Sequence, residues 1–337
     1  MSADTIRSPV MTTPSVSVVV PTYRRRDNLT AVITPLLDDA ATGELIVVVD
    51  GCDDGSLELL QGLARSNPAL RPVWTINQGG AAARQHGIEL ATHPVVLLID
   101  DDVIAGPGLV SGHAAHHAQA DDLVVLGYMP TRPAPEGARG RFATGLYAQE
   151  YEAVCREYER DESMILKKLW GGNVSIRTAR LADVPYESGR FSATNHSDRD
   201  FGLRAHKSGL RGVFDRELLA QHEHVRPLDA YLRDARRQGE GRVLVHAAHA
   251  DVAGQLDMGG TIRDLPAPLR VALVGLERQD QVAGLLTWLL RLVTLGAGRL
   301  GLHGIELGLA KFLRRYETRA GMREGLQRLE LERQDAA

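Results

Sequence analysis

The sequence predicts an α/β fold, a mostly parallel sheet flanked by helices with a helical C-terminal extension, and three observations carry that expectation. From Val16 to about Gly127, short β-branched apolar runs alternate with helical stretches, the pattern of strands and crossover helices. Polar and acidic strings follow those runs directly, where an open parallel sheet presents its ligand-binding loops. The composition is ordinary for a globular chain: 337 residues, 39 Lys+Arg against 43 Asp+Glu, 44% hydrophobic and 24% charged. That excludes disorder, collagen and a disulfide scaffold, and a net charge of −4 argues against a chain that coats nucleic acid.

Taken in order, strands are expected at Val16 to Val20, Leu45 to Val49, Arg71 to Thr75, Val95 to Ile99 and Leu123 to Leu126. Helices are expected between them at Asn28 to Leu37, Ser56 to Arg65, Ala81 to Ala91 and Gly108 to His117, with Ser56 as an N-cap. The Pro- and Gly-rich run Thr131 to Gly140 reads as a loop before a charged helix from about Phe142 to Glu162. A short strand, Asn173 to Ile176, and helices near Asp198 to Lys207 and Leu228 to Arg237 follow. From Leu265 onward the pattern is helical. Charged residues interrupt its apolar stretch before the roughly 20 residues a membrane span needs. On one continuous helix, Arg291, Arg299, His303 and Glu306 would share a narrow arc and leave a broad apolar face. That face suits packing on the domain, a homodimer contact or a peripheral membrane contact. The expected organisation is a flexible leader at 1–15, two halves of one domain at 16–130 and 131–250, and a helical extension at 251–337.

Cys52 and Cys155 share no metal-ligand or redox spacing and read as reduced thiols. His113, His116 and His117 have helical spacing and read as surface residues. With no apolar run of signal-peptide length in MSADTIRSPVMTTPS, the expected location is cytoplasmic, with a peripheral contact at the inner membrane face through the C-terminal helices.

The chemistry is expected at the strand ends. Asp50 ends the second strand, and Asp100, Asp101 and Asp102 directly follow VVLLI. Three adjacent carboxylates repel one another and raise one another's pKa, so they want a cation. Mg²⁺ or Mn²⁺, bound by one or two carboxylates plus phosphates and water, suits them. A solvated acidic loop capping the next helix is the alternative. No phosphate-loop string G-x-x-x-x-G-K-[ST] occurs, and the Gly-rich start of a nucleotidyltransferase is missing after the first strand.

Six strings in order carry a family resemblance: VSVVVPTYRRRDNL from Val16, ELIVVVDGCDDGS from Glu44, NQGGAAARQHGIELA from Asn77, VVLLIDDDV from Val95, WGGNVSIR from Trp170 and HSDRDFGLRAHKSG from His196. Together they resemble the family-two nucleotide-sugar glycosyltransferases with the GT-A (Rossmann-like) fold, over about residues 15 to 241. The resemblance implies a metal-dependent, inverting transfer of a sugar from a nucleoside-diphosphate sugar, a UDP-sugar by first expectation, to an acceptor hydroxyl. Pro21, Thr22 and Tyr23 would line the nucleoside pocket, and Asp50 would accept hydrogen bonds from the base. Asn77, Gly80 and Arg84 would lie by the donor, the guanidinium suiting a diphosphate or sugar hydroxyls. The D-x-D pattern maps onto Asp100 and Asp102, with Asp102 the direct metal ligand and Asp101 able to share either role. Gly172 and Asn173 would let the sugar approach the backbone, with Trp170 stacking on the acceptor side or serving as core. Asp198 matches the catalytic base, with Asp200 as runner-up and Ser197 where the family commonly has an acid. The alternative without catalysis makes Ser197 or Asp198 a helix N-cap and Asp200 a first-turn residue favoured by the helix dipole. His222, or else His224, would be a further metal ligand. A catalytically inactive sugar-nucleotide-binding or partner subunit on the same scaffold is the alternative function.

Overall fold

The computed structural model describes residues 13–135, 141–189, 191, 196–223, 225, 227–254, 256–278 and 280–335. The expected leader falls almost wholly outside them, as do His224, Asn195 and the second half of the Thr131 to Gly140 loop. In chain order the elements are β1 (Val16–Thr22), α1 (Arg26–Leu37), β2 (Thr42–Asp50), α2 (Ser56–Ala64), β3 (Leu70–Thr75), α3 (Gly80–Glu89), β4 (Val95–Ile99), β5 (Val103–Ala105), α4 (Leu109–Gln119), β6 (Leu123–Tyr128), α5 (Arg141–Arg160), α6 (Met164–Lys167), β7 (Asn173–Arg177), α7 (Thr178–Asp183), α8 (Ser197–Lys207), β8 (Arg211–His222), α9 (Leu228–Ala248), α10 (Ala250–Ala253), α11 (Ala267–Leu276), α12 (Asp280–Arg299) and α13 (His303–Asp335). They form two compact units. The first comprises residues 1–129, 171–185 and 208–221, and the second 130–170, 186–207 and 222–337.

The first unit holds the sheet, in the order β3-β2-β1-β4-β7-β6-β8-β5. The strands β3, β2, β1 and β4 run parallel, so their C-terminal ends, and the loops that follow, lie along one edge. β7 is antiparallel to β4 and β6, which brings its N-terminal end to the C-terminal end of β4. β1, β4 and the run from Leu45 to Asp50 in β2 are buried along their whole length, as a sheet covered on both faces requires. At the opposite edge, Glu44 ties three strand starts together. Its carboxylate accepts from Ser17 Oγ at 2.7 Å, from the Thr92 backbone at 2.7 Å and hydroxyl at 2.8 Å, and from Arg71. Burial alone raises this carboxyl, but the hydrogen bonds from Ser17, Thr92 and Arg71 outweigh it and hold the pKa at about 2, against an ordinary 4.5.

Several expectations need correction. Ser56 is the first helical residue of α2, not its cap. Gly55 takes the cap position at φ 85°, and Asp54 Oδ1 accepts the Ser56 N–H at 3.2 Å. His113 and His117 are fully buried, because positions i and i+4 of α4 both face the sheet. Ser175 Oγ lies 2.8 Å from His113 Nδ1 and 2.8 Å from His117 Nε2, and burial pushes the two imidazoles down to about 3 and about 4. Only His116 is half-exposed, 2.8 Å from Asp215. β5 and β8 are strands the apolar pattern did not reveal. β8 has charged and polar residues at half its positions, and its partner β6 supplies the hydrogen bonds.

The second unit is helical. α9 runs about three turns beyond its expected end and packs along α13, so closely that a Cβ on Gly239 would lie 2.0 Å from Thr318 O. Arg236 Nη1 meets Glu317 at 3.1 Å and Arg291 Nη2 meets it at 2.7 Å, joining α9, α12 and α13. The narrow arc expected for Arg291, Arg299, His303 and Glu306 does not exist, since α12 stops at Arg299. Gly301, at φ 71°, takes the left-handed position of a Schellman ending, with Leu302 N–H donating to Ala297 O at 2.9 Å. α12 nevertheless leaves Leu285, Trp288, Leu289, Leu292 and Val293 exposed. No helix among the described residues is long and apolar enough to cross a membrane.

The Glu44 network makes a prediction. Glu44→Gln should cost about 2 kcal/mol of stability at pH 7, by leaving buried donors poorly matched. Because the folded-state pKa is depressed, the Glu44 contribution is complete above about pH 4.5 and lost as pH falls through about 2. Urea denaturation at pH 7 and at pH 3 should therefore show the gap between wild type and variant narrowing at pH 3.

Candidate active site

Within the first unit, the sheet edge gathers most of the residues that the strand-end strings singled out. Asp50 is buried, and its two carboxylate oxygens accept the N–H groups of Gln78 and Gly79, each at 2.9 Å. Asn77 Nδ2 donates back to Asp50 O at 3.0 Å. Asp50 thus fixes the loop that launches α3, whose first residue is Gly80. Nothing lies within 4 Å of where a Gly80 Cβ would stand, so the start of the helix faces open space. One turn on, Arg84 reaches Asp100 with Nη2 2.6 Å from Oδ1.

The acidic run is neutralised piece by piece. Asp102 is 3.3 Å from Arg25 Nη2, and Asp101 Oδ2 accepts the Tyr23 N–H at 3.3 Å. Burial, and then the neighbouring charge of Asp102, raise the Asp101 carboxyl to about 6. Gly172 faces the same group. At φ 103° it occupies backbone space that side chains avoid, and a Cβ there would lie 2.8 Å from Asp100 Oδ2. Pro21 and Thr22 are buried at the end of β1, and the Thr22 hydroxyl acts on the Asp101 carboxyl, lowering its pKa against the effect of burial. Tyr23 is exposed. Asn173, next to Gly172, turns its side chain inward, with Oδ1 2.9 Å from His113 Nε2 and Nδ2 donating to Leu218 O at 3.1 Å.

These observations bear on whether a divalent cation fits. The donor set is three crowded carboxylates, one with a raised pKa, beside a buried hydroxyl and a glycine whose missing side chain leaves room against Asp100. That is hard-oxygen chemistry suited to Mg²⁺ or Mn²⁺. Among the described residues no group of three or more His, Cys, Asp or Glu side chains forms a ready cage, so further ligands would come from phosphate and water.

The remaining expected residues belong to the second unit. Asp198 stands in the first turn of α8, half-buried, and its Oδ1 accepts from the Tyr186 hydroxyl. Asp200 is buried and committed: Oδ2 accepts from Arg204 Nε at 2.8 Å, and Oδ1 is 2.7 Å from His249 Nε2. It ties α8 to α9, which leaves Asp198 as the more accessible of the two carboxylates. Trp170 Nε1 donates to the Tyr147 hydroxyl at 3.0 Å, and its ring meets Tyr147 and Tyr151 edge-on. His222 is buried at the end of β8, its ring 5.3 Å from that of Tyr147 and its backbone bonded to Pro130 and Arg132.

Sequence reasoning missed Arg25, Tyr186, Tyr147 and Tyr151. The run Arg24-Arg25-Arg26 directly after the first strand was a signal available for Arg25. No sequence spacing points from Tyr186 to Asp198.

Comparison with known proteins agrees with this architecture. Residues 17–179 match the model of Glycosyl transferase family 2. The chain is 30% identical over 241 residues to the validoxylamine A glucosyltransferase of Streptomyces hygroscopicus subsp. limoneus, covering 63% of this chain and 53% of that protein. It therefore spans about half the length of that relative. Escherichia coli YibD, an uncharacterised glycosyltransferase, is 33% identical over 91 residues, 27% of this chain and 26% of its own. Among solved structures, the mannosyltransferase PcManGT of Pyrobaculum calidifontis, in complex with GDP-Man and Mn²⁺, superposes with a TM-score of 0.57 at 17% identity, covering 91% of this chain and 87% of its own. S. aureus TarS 1–349 in complex with UDP gives 0.50 at 19% identity, with 92% of each chain covered. The ordered strings, the sheet topology and the family match agree: residues 17–179 of this chain are a family 2 glycosyltransferase domain, on the GT-A fold.

Proposed function

We propose that the protein is a metal-dependent, inverting glycosyltransferase that moves a sugar from a nucleoside-diphosphate sugar, a UDP-sugar as the first class to test, to an acceptor hydroxyl. The observation that carries this reading is the acidic run at the end of β4, held by Arg84 and Arg25, with room left against Asp100 by Gly172. The GDP-Man and Mn²⁺ bound by PcManGT and the UDP bound by TarS support it.

Asp102 and Asp100 would hold the Mg²⁺ or Mn²⁺ ion, which when bound supplies Lewis-acid neutralisation of the departing diphosphate. Asp50 keeps the start of α3 in place and has lone pairs left for a base N–H. Arg84 contributes fixed positive charge, and Tyr23 offers an exposed ring to the nucleoside. Asp198 takes the proton of the acceptor hydroxyl. The hydroxyl oxygen bonds to the anomeric carbon, and the bond from that carbon to the diphosphate oxygen breaks with its electron pair. Tyr186, by donating to Asp198, orients the carboxylate. The half-buried Trp170 and Tyr147 supply an aromatic surface suited to an acceptor, with Tyr151 buried behind Trp170. The apolar face of α12 supports a further contact, with a second copy or a membrane surface, in a cytoplasmic protein.

Two variants separate the roles. Asp102→Asn should weaken metal-dependent nucleotide binding at least about tenfold. Asp198→Asn should leave nucleotide binding within about twofold while lowering kcat by about 10² to 10⁴. Calorimetry with nucleotide and Mn²⁺, beside a transfer assay, reads both; equal loss of binding in the two variants would contradict the assignment. Gly172→Ala should displace Asp100 and cost about 1–2 kcal/mol of backbone strain. In the same assay it should raise KM for the donor more than it lowers kcat.

A further inference from the structure

The second unit contains two half-buried arginines that the proposed chemistry does not use. Arg199 lies in the first turn of α8, and Arg242 on α9. The two helices are joined on either side of them. His196 Nε2 donates to Gln238 O at 2.9 Å, and Asp200 Oδ1 is 2.7 Å from His249 Nε2. Arg199 falls between His196 and Asp200 in sequence, and Arg242 between Gln238 and His249, one turn beyond Gln238. Contacts at both ends therefore bracket the two residues along the same helix pair, and the charges of both act on His196 between them.

Neither group has a carboxylate. Among the described residues the Arg199 side chain makes one hydrogen bond, from Nε to Lys167 O at 3.3 Å, and Arg242 makes none. Other arginines of this unit are paired: Arg204 with Asp200, Arg319 with Glu277, Arg291 with Glu317 and Arg314 with Glu150. Carboxylates nearby are engaged elsewhere, Asp200 with Arg204 and His249, Glu240 with Arg328, and Asp251 with Lys207. Burial lowers the pKa of both arginines, and the charge of Arg242 lowers that of Arg199 further. His196 is pushed to about 4 by burial, with Arg199 and Arg242 acting in the same direction and Asp198 against them. It is thus neutral at pH 7 and adds no charge. Two like charges held together without a counter-ion cost free energy that an anionic ligand would return.

We propose that Arg199 and Arg242 form an anion site in the second unit that receives a phosphoryl group carried by the acceptor. The chemical class follows from charge and shape: two guanidinium forks match a dianion with several acceptor oxygens. Assignment to the acceptor follows from position, since Arg199 neighbours Asp198 in the first turn of α8. That last step rests on the proposed role of Asp198, whereas the anion site itself does not.

The test uses the full chain and inorganic phosphate as probe, by calorimetry in EDTA at matched ionic strength, beside a separate titration of UDP and GDP with Mn²⁺. Wild type should bind phosphate, and Arg242→Gln and Arg199→Gln should each weaken it about tenfold or more while leaving nucleotide binding within about twofold. Arg242→Lys, which keeps the charge but loses the fork, should fall between. In phosphate-free buffer the Gln variants should melt no lower than wild type, because each removes an unpaired cation. The proposal is overturned if wild type binds no phosphate, or if both Gln variants bind it as wild type does. It is also overturned if phosphate and nucleotide binding are lost together, which would assign the arginines to the donor. Phosphate binding that depends on both arginines in a protein that binds no nucleotide would uphold the anion site and remove the transferase reading.

Discussion

Three carboxylates placed in a row at the end of a hydrophobic strand are the constraint on which the rest of the first unit depends. Like charges this close cannot all stay ionised without compensation. Asp100 is met by Arg84 from α3, and Asp102 by Arg25 from the loop after β1. Asp101, between them, has a carboxyl raised to about 6. Each compensating group comes from a loop or helix that follows another strand of the parallel set, Arg25 after β1 and Arg84 after β3. This works only because β1 and β4 run parallel and bring their C-terminal ends to one edge. The Glu44 network at the other edge joins the starts of the same strands.

Asp50 shows how a residue can be structural and available at once. Two backbone N–H groups fill one lone pair on each oxygen and set the direction of α3, and with it the reach of Arg84. The second unit divides its labour differently. Asp200 and His249 lock α8 to α9, so the half-buried Asp198 two positions away holds a defined place, with Tyr186 as a partner. Carboxylates two positions apart on one helix thus differ in burial and in partners, and only one keeps the accessibility that acting on a substrate requires.

The sequence made the parallel half legible because β1, β4 and most of β2 are buried on both faces and read as unbroken apolar runs. β4 was placed to the residue, and β1, β2 and β3 were placed with ends short by only a few residues. β8 escaped because it carries charged and polar residues at half its positions and owes its conformation to pairing with β6. The buried histidines escaped because i, i+4 spacing says that two residues share a face, not which face is covered. The strings at the strand ends named Asp50, Arg84 and Asp100 to Asp102, but Arg25 and Tyr186 become visible only through tertiary contacts. The resemblance ranked Asp198 above Asp200, but the difference between them in burial and partners is visible only in the structure.

The central claim is that the acidic run exists to hold a cation together with a nucleoside diphosphate. Calorimetric titration of the purified protein with UDP, GDP and dTDP, each in Mn²⁺ and again in EDTA, tests it most directly. The account predicts that one of these nucleotides binds in Mn²⁺ and loses most of its affinity in EDTA. Equal affinity in both conditions would contradict it, as would no binding of any of the three.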